Sequence, residues 1–254
     1  MPDSTQRSFT ASFTFDAELS DFLPTARRNR RLTYHFNDNP SIKDAIEAQG
    51  IPHTEVGWLA VNGGPVGFDY QLQNGDGVDV GPVNGSPGVA APLPLRAQPP
   101  EVWRFVLDVY LGKLARLLRL LGCDALYRND YHDREIVQVS VAEGRAVLTR
   151  DRRLLHARVL EHGYWVRSTD PEVQLAEVIR RFHLRGQTAP FSRCLACNGV
   201  MEAVPKEAVL EELEPKTRRY YWEFWRCAAC GKLYWQGSHF DRLVDLVEIY
   251  TAPD

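Results

Sequence analysis

Trp103-Arg104-Phe105-Val106-Leu107-Asp108, then Leu111-Gly112-Lys113-Leu114-Ala115-Arg116-Leu117-Leu118-Arg119-Leu120-Leu121-Gly122, is the stretch that decides the fold. A short apolar run ending in a carboxylate reads as a buried strand with Asp108 at its C-terminal edge. In open α/β sheets the ligand crevice lies at that edge. Leu111, Leu114, Leu118 and Leu121 then form one apolar stripe of a helix that Gly122 stops. Lys113, Arg116 and Arg119 recur every three residues on another face, a row suited to contacting a phosphate backbone.

The strand-then-helix pattern repeats downstream. Ala125-Leu126-Tyr127-Arg128 predicts a strand, and Asp133 suits the N-cap of a helix over 135–142 closed by Gly144. Arg145-Ala146-Val147-Leu148-Thr149-Arg150-Asp151 predicts another strand ending in an aspartate, followed by a helix at Arg152-Arg153-Leu154-Leu155-His156. Gly163-Tyr164-Trp165-Val166-Arg167 predicts a fourth strand, leading through Ser168-Thr169-Asp170-Pro171 into a helix over 172–184. Four such steps in so short a span indicate an α/β unit with a parallel sheet and flanking helices. Asp108, Asp151 and Asp170 each follow a strand, while Asp130, Asp133 and Glu135 share one strand-to-helix loop. Parallel strands bring these ends to one side. Clustered carboxylates repel one another and are usually kept together by divalent cations. Mg or Mn held by such acids is the usual apparatus of phosphodiester hydrolysis.

Outward from this centre, 81–100 is rich in proline and glycine and reads as a linker; a second seam lies at Arg185-Gly186-Gln187-Thr188-Ala189-Pro190. In front of the linker, Phe9, Ala11, Phe13 and Phe15 alternate with polar residues as in a half-buried strand, and 31–36 predicts a second strand. Ser41 caps a helix over 42–48, and 58–64 and 78–80 predict two more strands. That order suggests a β-grasp, and "SIKDAIEAQGIPHTEV" (41–56), "LAVNGGPV" (59–66) and "LQNGDGVDV" (72–80) resemble ubiquitin-like sulfur carriers. Carrier chemistry needs a terminal Gly-Gly carboxylate, whereas Gly63-Gly64 is internal and reads as a hairpin turn. The front segment therefore reads as a docking or RNA-contacting accessory domain, with a surface for a protein partner.

Behind the second seam, Cys194-Leu195-Ala196-Cys197 and Cys227-Ala228-Ala229-Cys230 form two Cys-x-x-Cys knuckles. Their spacing predicts a closed tetrahedral Zn site of the ribbon type, structural and not catalytic. Arg218-Arg219-Tyr220-Tyr221-Trp222-Glu223-Phe224-Trp225-Arg226 and Lys232-Leu233-Tyr234-Trp235 interleave aromatics with cations. Such a run stacks on single-stranded bases or forms the half-buried face of the ribbon. Cys123 reads as an idle buried thiol, and His239 carries no chemistry by itself.

Composition bounds the remainder. The net charge of −3 gives no global reason to expect a polyanion, but residues 101–190 carry 15 Lys/Arg against 12 Asp/Glu, a local excess of cations. No apolar run approaches the length of a membrane span, and free Cys-x-x-Cys pairs suit a reducing compartment. A soluble cytoplasmic protein without membrane contact is the expectation.

"FVLDVYLGKLARLLRLLGCDALYRND" (105–130), "GRAVLTRDRRLL" (144–155), "VRSTDPEVQL" (166–175) and the downstream cysteine pairs together resemble the Mut-seven C-terminal ribonuclease domain, a PIN-like nuclease family whose bacterial members often carry a ubiquitin-like domain in front. The resemblance implies domains at 7–95 (ubiquitin-like β-grasp), 101–187 (PIN-like nuclease) and 190–246 (zinc ribbon), with RNA, single-stranded or structured, as substrate. It maps metal-binding acids onto Asp108 and Asp151, an intermediate acid onto Asp133 or Glu135, and a fourth onto Asp170. Lys113, Arg116, Arg119 and Arg150 are the expected RNA contacts. The rival reading is a non-catalytic RNA-binding or ribosome-associated adaptor that keeps the fold.

Overall fold

The structure, a computed structural model, describes residues 8–88, 90–96, 98–238 and 240–252; His239 lies outside that set. By its contacts the chain divides into two compact units, Met1–Pro99 with Asp151–Trp165, and Pro100–Arg150 with Val166–Asp254.

In the first unit, β1 (Phe9–Phe15) buries Ala11, Phe13 and Phe15 as its alternation predicts. A short helix α1 (Ala17–Ser20), capped by Asp16, precedes β2 (Leu32–Phe36), which pairs antiparallel with β1. Helix α2 (Ile42–Ala48) begins at Ser41, whose hydroxyl accepts from the Asp44 amide at 3.1 Å. β3 (Val56–Val61) turns into β4 (Gly64–Pro65) through Asn62 and Gly63, both at positive φ, so the hairpin the sequence suggests is present one residue earlier than the glycine pair, with Gly64 already in the strand. β5 (Gly77–Pro82) runs parallel to β1 and antiparallel to β3, giving the order β2-β1-β5-β3-β4. That is a β-grasp. Its core is built on Phe13, Leu19, Ile42, Ile46, Ile51, Leu59 and Leu72, all fully buried; each such side chain contributes about 1.5–3 kcal/mol.

In the second unit, β6 (Arg104–Leu107) leads through a single turn into α3 (Gly112–Leu120). β7 (Asp124–Tyr127), α4 (Asp133–Glu143) and β8 (Ala146–Thr149) follow. β6 is central and parallel to both β7 and β8. Its Phe105, Val106 and Leu107 are fully buried, as the near-continuous apolar run of a two-sided parallel strand requires.

The segment Asp151–Trp165, central by sequence, belongs to the first unit. The helix expected at its start is a single turn, Leu154–His156, too short to repay nucleation. Leu154, Leu155 and Leu160 are buried instead, and β9 (Gly163–Trp165) ends the segment. The His53 ring bridges Glu47 Oε1 (2.6 Å from Nδ1) and the Leu160 carbonyl (2.8 Å from Nε2). Glu55, 1% exposed, accepts from the Trp165 amide at 2.6 Å. The Trp165 ring lies 5.0 Å from that of Phe22, and the Arg152 guanidinium sits 5.2 Å over it.

Back in the second unit, α5 (Pro171–Phe182) packs on α3, and its Phe182 meets the Trp103 and Phe105 rings edge-on at 4.8 and 5.1 Å. The tail holds β10 (Met201–Val204), α6 (Pro215–Tyr220), β11 (Phe224–Cys227) and β12 (Leu233–Trp235), with the strands antiparallel in that order. The basic-aromatic run is thus divided, with Arg218, Arg219 and Tyr220 on α6 and Phe224, Trp225 and Arg226 on β11. A further helix, α7 (Phe240–Thr251), was not anticipated from the sequence. Among the described residues no helix is long and apolar enough to cross a membrane.

Candidate functional site

Asp108 stands at the C-terminal end of β6, 4% exposed. Its Oδ1 accepts from the Tyr110 amide at 2.9 Å, and its Oδ2 accepts from the Thr149 hydroxyl at 2.5 Å and the Arg150 amide at 2.6 Å. The carboxylate therefore caps the turn that leads to α3 and ties the ends of the two adjacent parallel strands β6 and β8. These are short, charge-assisted bonds of the strong kind. A carboxylate offers about four lone-pair sites; three are used, so Oδ1 retains capacity for one more partner.

The other acids differ in how far they are already engaged. Asp133 is the first residue of α4 and not its cap; His132 occupies the cap position, because the Glu135 carboxylate reaches back to the His132 amide at 2.8 Å. Among the described residues Asp133 has no hydrogen-bond or ion-pair partner, whereas Glu135 also faces Arg128 at 3.7 Å. Asp130 pairs with Arg128 at 2.9 Å. Asp151, two residues beyond β8, accepts from the Arg153 amide at 2.9 Å. Asp170 is the N-cap of α5, accepting from the Glu172 and Val173 amides at 2.9 and 3.1 Å. Among the described residues only the four cysteines bring three or more potential metal-ligating groups together.

The basic row divides. Lys113 and Arg116 are exposed on α3 and have no acidic partner among the described residues, whereas Arg119 is 3% exposed. Its guanidinium donates to the carbonyls of Ala125 (2.9 Å), Leu195 (3.3 Å) and Ala196 (3.0 Å). At 3.6 residues per turn an i+3 row drifts by about 60° a step, so its third member swings from the exposed face onto the side of buried Ala115. Arg150 turns its guanidinium to the Ser168 carbonyl.

Cys194, Cys197, Cys227 and Cys230 place their sulfurs within 4.8 Å of one another. The Cys194–Cys230 and Cys197–Cys227 pairs lie 3.7 and 3.4 Å apart, against about 3.8 Å for two sulfurs of a tetrahedral zinc site with ~2.3 Å bonds. Donor set and spacing fit a zinc ribbon. Burial pushes the Cys194 thiol up, but the Tyr234 hydroxyl at 3.2 Å and the backbone amides of Cys197 and Ala196 outweigh it, bringing it down to about 6. Burial and the neighbouring sulfurs push Cys197 the other way, up to about 12, so the thiols titrate as one set and a bound cation is what would let them ionise together.

Two residues that sequence reasoning passed over join this ribbon to the parallel sheet. Asp124 opens β7 and meets Arg145 at 2.7 Å and Arg193 at 3.6 Å. Burial pushes its carboxyl up, but the hydrogen bonds from Arg145 and Asn198 win and leave it below the ordinary value. Asn198, directly after the first knuckle and at φ +75°, donates to Asp124 at 2.7 Å and accepts from the Ala125 amide at 2.9 Å. An asparagine following Cys-x-x-Cys, where left-handed backbone is favoured, was the available signal.

A parallel α/β unit with a strand-end aspartate and a four-cysteine ribbon, behind a ubiquitin-like fold, is the class these features define. The family described as the Mut7-C RNAse domain matches residues 103–247, and Mut7-C ubiquitin matches residues 8–87. The first match covers more than half of the chain, which belongs to the Mut7-C RNAse domain family, a nuclease family. The human exonuclease mut-7 homolog is 35% identical over 119 residues, 44% of this chain and 13% of that protein, so the chain spans a small part of that relative. No solved structure matches the chain.

Proposed function

We propose that the chain is a metal-dependent ribonuclease of PIN-like fold that hydrolyses RNA phosphodiester bonds through a carboxylate-bound Mg or Mn ion, with a structural Zn in its ribbon. Family membership supports the nuclease class, and the observation that carries the rest is Asp108, rigidly held at the C-terminal end of the central parallel strand with one oxygen able to take another partner. Carboxylate oxygens are the hard donors such ions prefer, so the donor chemistry of the acids fits. When bound, the ion would lower the pKa of the attacking water and offset charge on the phosphate. Asp108 and Asp151 are the principal ligands in this reading. Asp133, with its carboxylate unengaged, suits the intermediate role better than Glu135, which is occupied by the His132 amide and Arg128. Asp170 serves first as a helix cap. Lys113 and Arg116 are the cations exposed for RNA. The division at 7–95, 101–187 and 190–246 and a cytoplasmic location belong to the same proposal.

The adaptor reading draws support from Glu135 and Asp170 being engaged at helix N-termini and from the acids not being gathered as the sulfurs are. One experiment separates the two. Zinc-loaded protein is incubated with labelled single-stranded and hairpin RNA in Mn or Mg, beside Asp108→Asn, Asp133→Asn and Asp151→Asn. The nuclease reading expects cleavage that each variant loses by about 100-fold or more while unfolding as the parent does. Retained cleavage in Asp108→Asn and Asp151→Asn would overturn the assignment of the acids. Binding without cleavage under every metal would establish the adaptor.

A further inference from the structure

Between α3 and the cysteine ribbon lies a cleft of about 250 Å³, lined by Gly112, Arg116, Arg119, Tyr127, Leu195, Ala196, Lys232 and Tyr234. Among the described residues no carboxylate lines it. Of its three cations, Arg119 is buried and committed to the Ala125, Leu195 and Ala196 carbonyls. Arg116 and Lys232 are exposed, come from α3 and from the ribbon respectively, and have no acidic partner among the described residues; α3 contains no acid at all. The Lys232 ammonium lies 5.7 Å over the Tyr234 ring. Tyr127 closes the near end: its hydroxyl donates to the carbonyl of Val109, the residue after Asp108, at 3.0 Å. A β-carbon at 112 would sit 2.8 Å from the Tyr127 ring and hydroxyl, so any larger residue there would have to displace the tyrosine.

We propose that this cleft binds one nucleotide unit of a single-stranded RNA, with Arg116 and Lys232 on its phosphates and the tyrosine walls beside its base and sugar. The inference rests on the ribonuclease reading for its ligand and extends it by making the ribbon half of a substrate subsite. Three observations carry it. Two exposed cations from different elements line one cleft, and none of the residues that line it is a carboxylate that could neutralise them. Aromatic walls among cations are the apparatus by which proteins hold single-stranded nucleotides without reading sequence. Finally, at about 250 Å³ the cleft is below the ~300–1,000 Å³ of small-molecule pockets, which suits one unit of a longer chain. Tyr127 joins the cleft to the loop capped by Asp108, so a strand seated there leads toward that edge of the sheet.

The test uses the full zinc-loaded chain, a labelled twelve-nucleotide single-stranded RNA, and buffer without Mg or Mn, with affinity measured across salt concentrations. Each phosphate contact removed should lower the slope of log affinity against log salt by about 0.7. Arg116→Gln and Lys232→Gln should each lose that amount and Arg116→Gln/Lys232→Gln about twice it, while Lys216→Gln, an exposed lysine on α6, should leave the slope unchanged. An unchanged slope in the double variant overturns the proposal, as does an equal loss in Lys216→Gln, which would mark bulk charge alone. It is also overturned if the variants only release zinc faster to a chelator, for then the cations serve the thiolates. Parent protein that binds no RNA overturns it outright. Cleavage in Mn is scored separately: cutting with slopes unaffected by the variants retains the nuclease and removes the cleft, and the expected slopes without cutting do the reverse.

Discussion

Asp108 is fixed by donors beyond two strand ends at once, and Glu47 by one histidine that itself reaches further. Glu47 meets His53, which in turn holds the Leu160 carbonyl, so one carboxylate on α2 secures a residue far along the chain. Burial pushes the Glu47 carboxyl up, and the hydrogen bond and charge of His53 outweigh it, leaving it below its ordinary 4.5. Because the folded value is depressed, the stabilisation is complete above the ordinary value and is lost as pH falls through the folded one. Glu47→Ala should therefore cost about 2 kcal/mol at neutral pH, with the gap from the parent closing in urea titrations carried below pH ~4. At this scale the sequence was partly legible. The strand-end position of Asp108 and the cysteine knuckles followed from local pattern, but the burial of Arg119 and the joining role of Asp124 depend on partners distant in sequence, Leu195, Ala196 and Asn198.

Strands and capped helices were legible because period and capping are local. Phe9–Phe15 alternates and Ser41 caps α2 as expected, while the cap of α4 falls on His132, one residue before the expected Asp133. The element that departed most from expectation is Asp151–Trp165, where five residues with helical character make one turn and the leucines go into another unit's packing. Gly163 marks how close that packing is: a β-carbon there would lie 2.7 Å from Leu155 and 3.4 Å from Thr54. Gly163→Ala should cost about 1–3 kcal/mol. Hydrogen exchange is expected to rise across 151–165 and the 53–55 turn while β6 and β7 keep their protection. Uniform loss of protection would show that the strip is not a separate local contact. Helix α7 had a local signal that the sequence reading left unused, the Ser-x-x-acid spacing of Ser238-His239-Phe240-Asp241 ahead of an apolar run.

For the molecule as a whole, the five thiols divide into two chemical populations. Four converge on one metal position, whereas Cys123 is 8% exposed and burial pushes its thiol up to about 12. With zinc bound, a disulfide-exchange reagent should find no fast thiols; after chelation it should find four, and the fifth only on global unfolding. Five reacting together would mean that the central sheet does not survive loss of the metal. The division into units carries one more consequence, for the order of events during synthesis. The first unit needs Leu154, Leu155 and Trp165, which leave the ribosome 55, 56 and 66 residues after Pro99, about 3–13 s later at ~5–20 residues per second. Through that interval the nascent β-grasp has an uncovered apolar flank. Dividing the gene between its two family matches would make that interval permanent, and the front half should aggregate where the full chain does not.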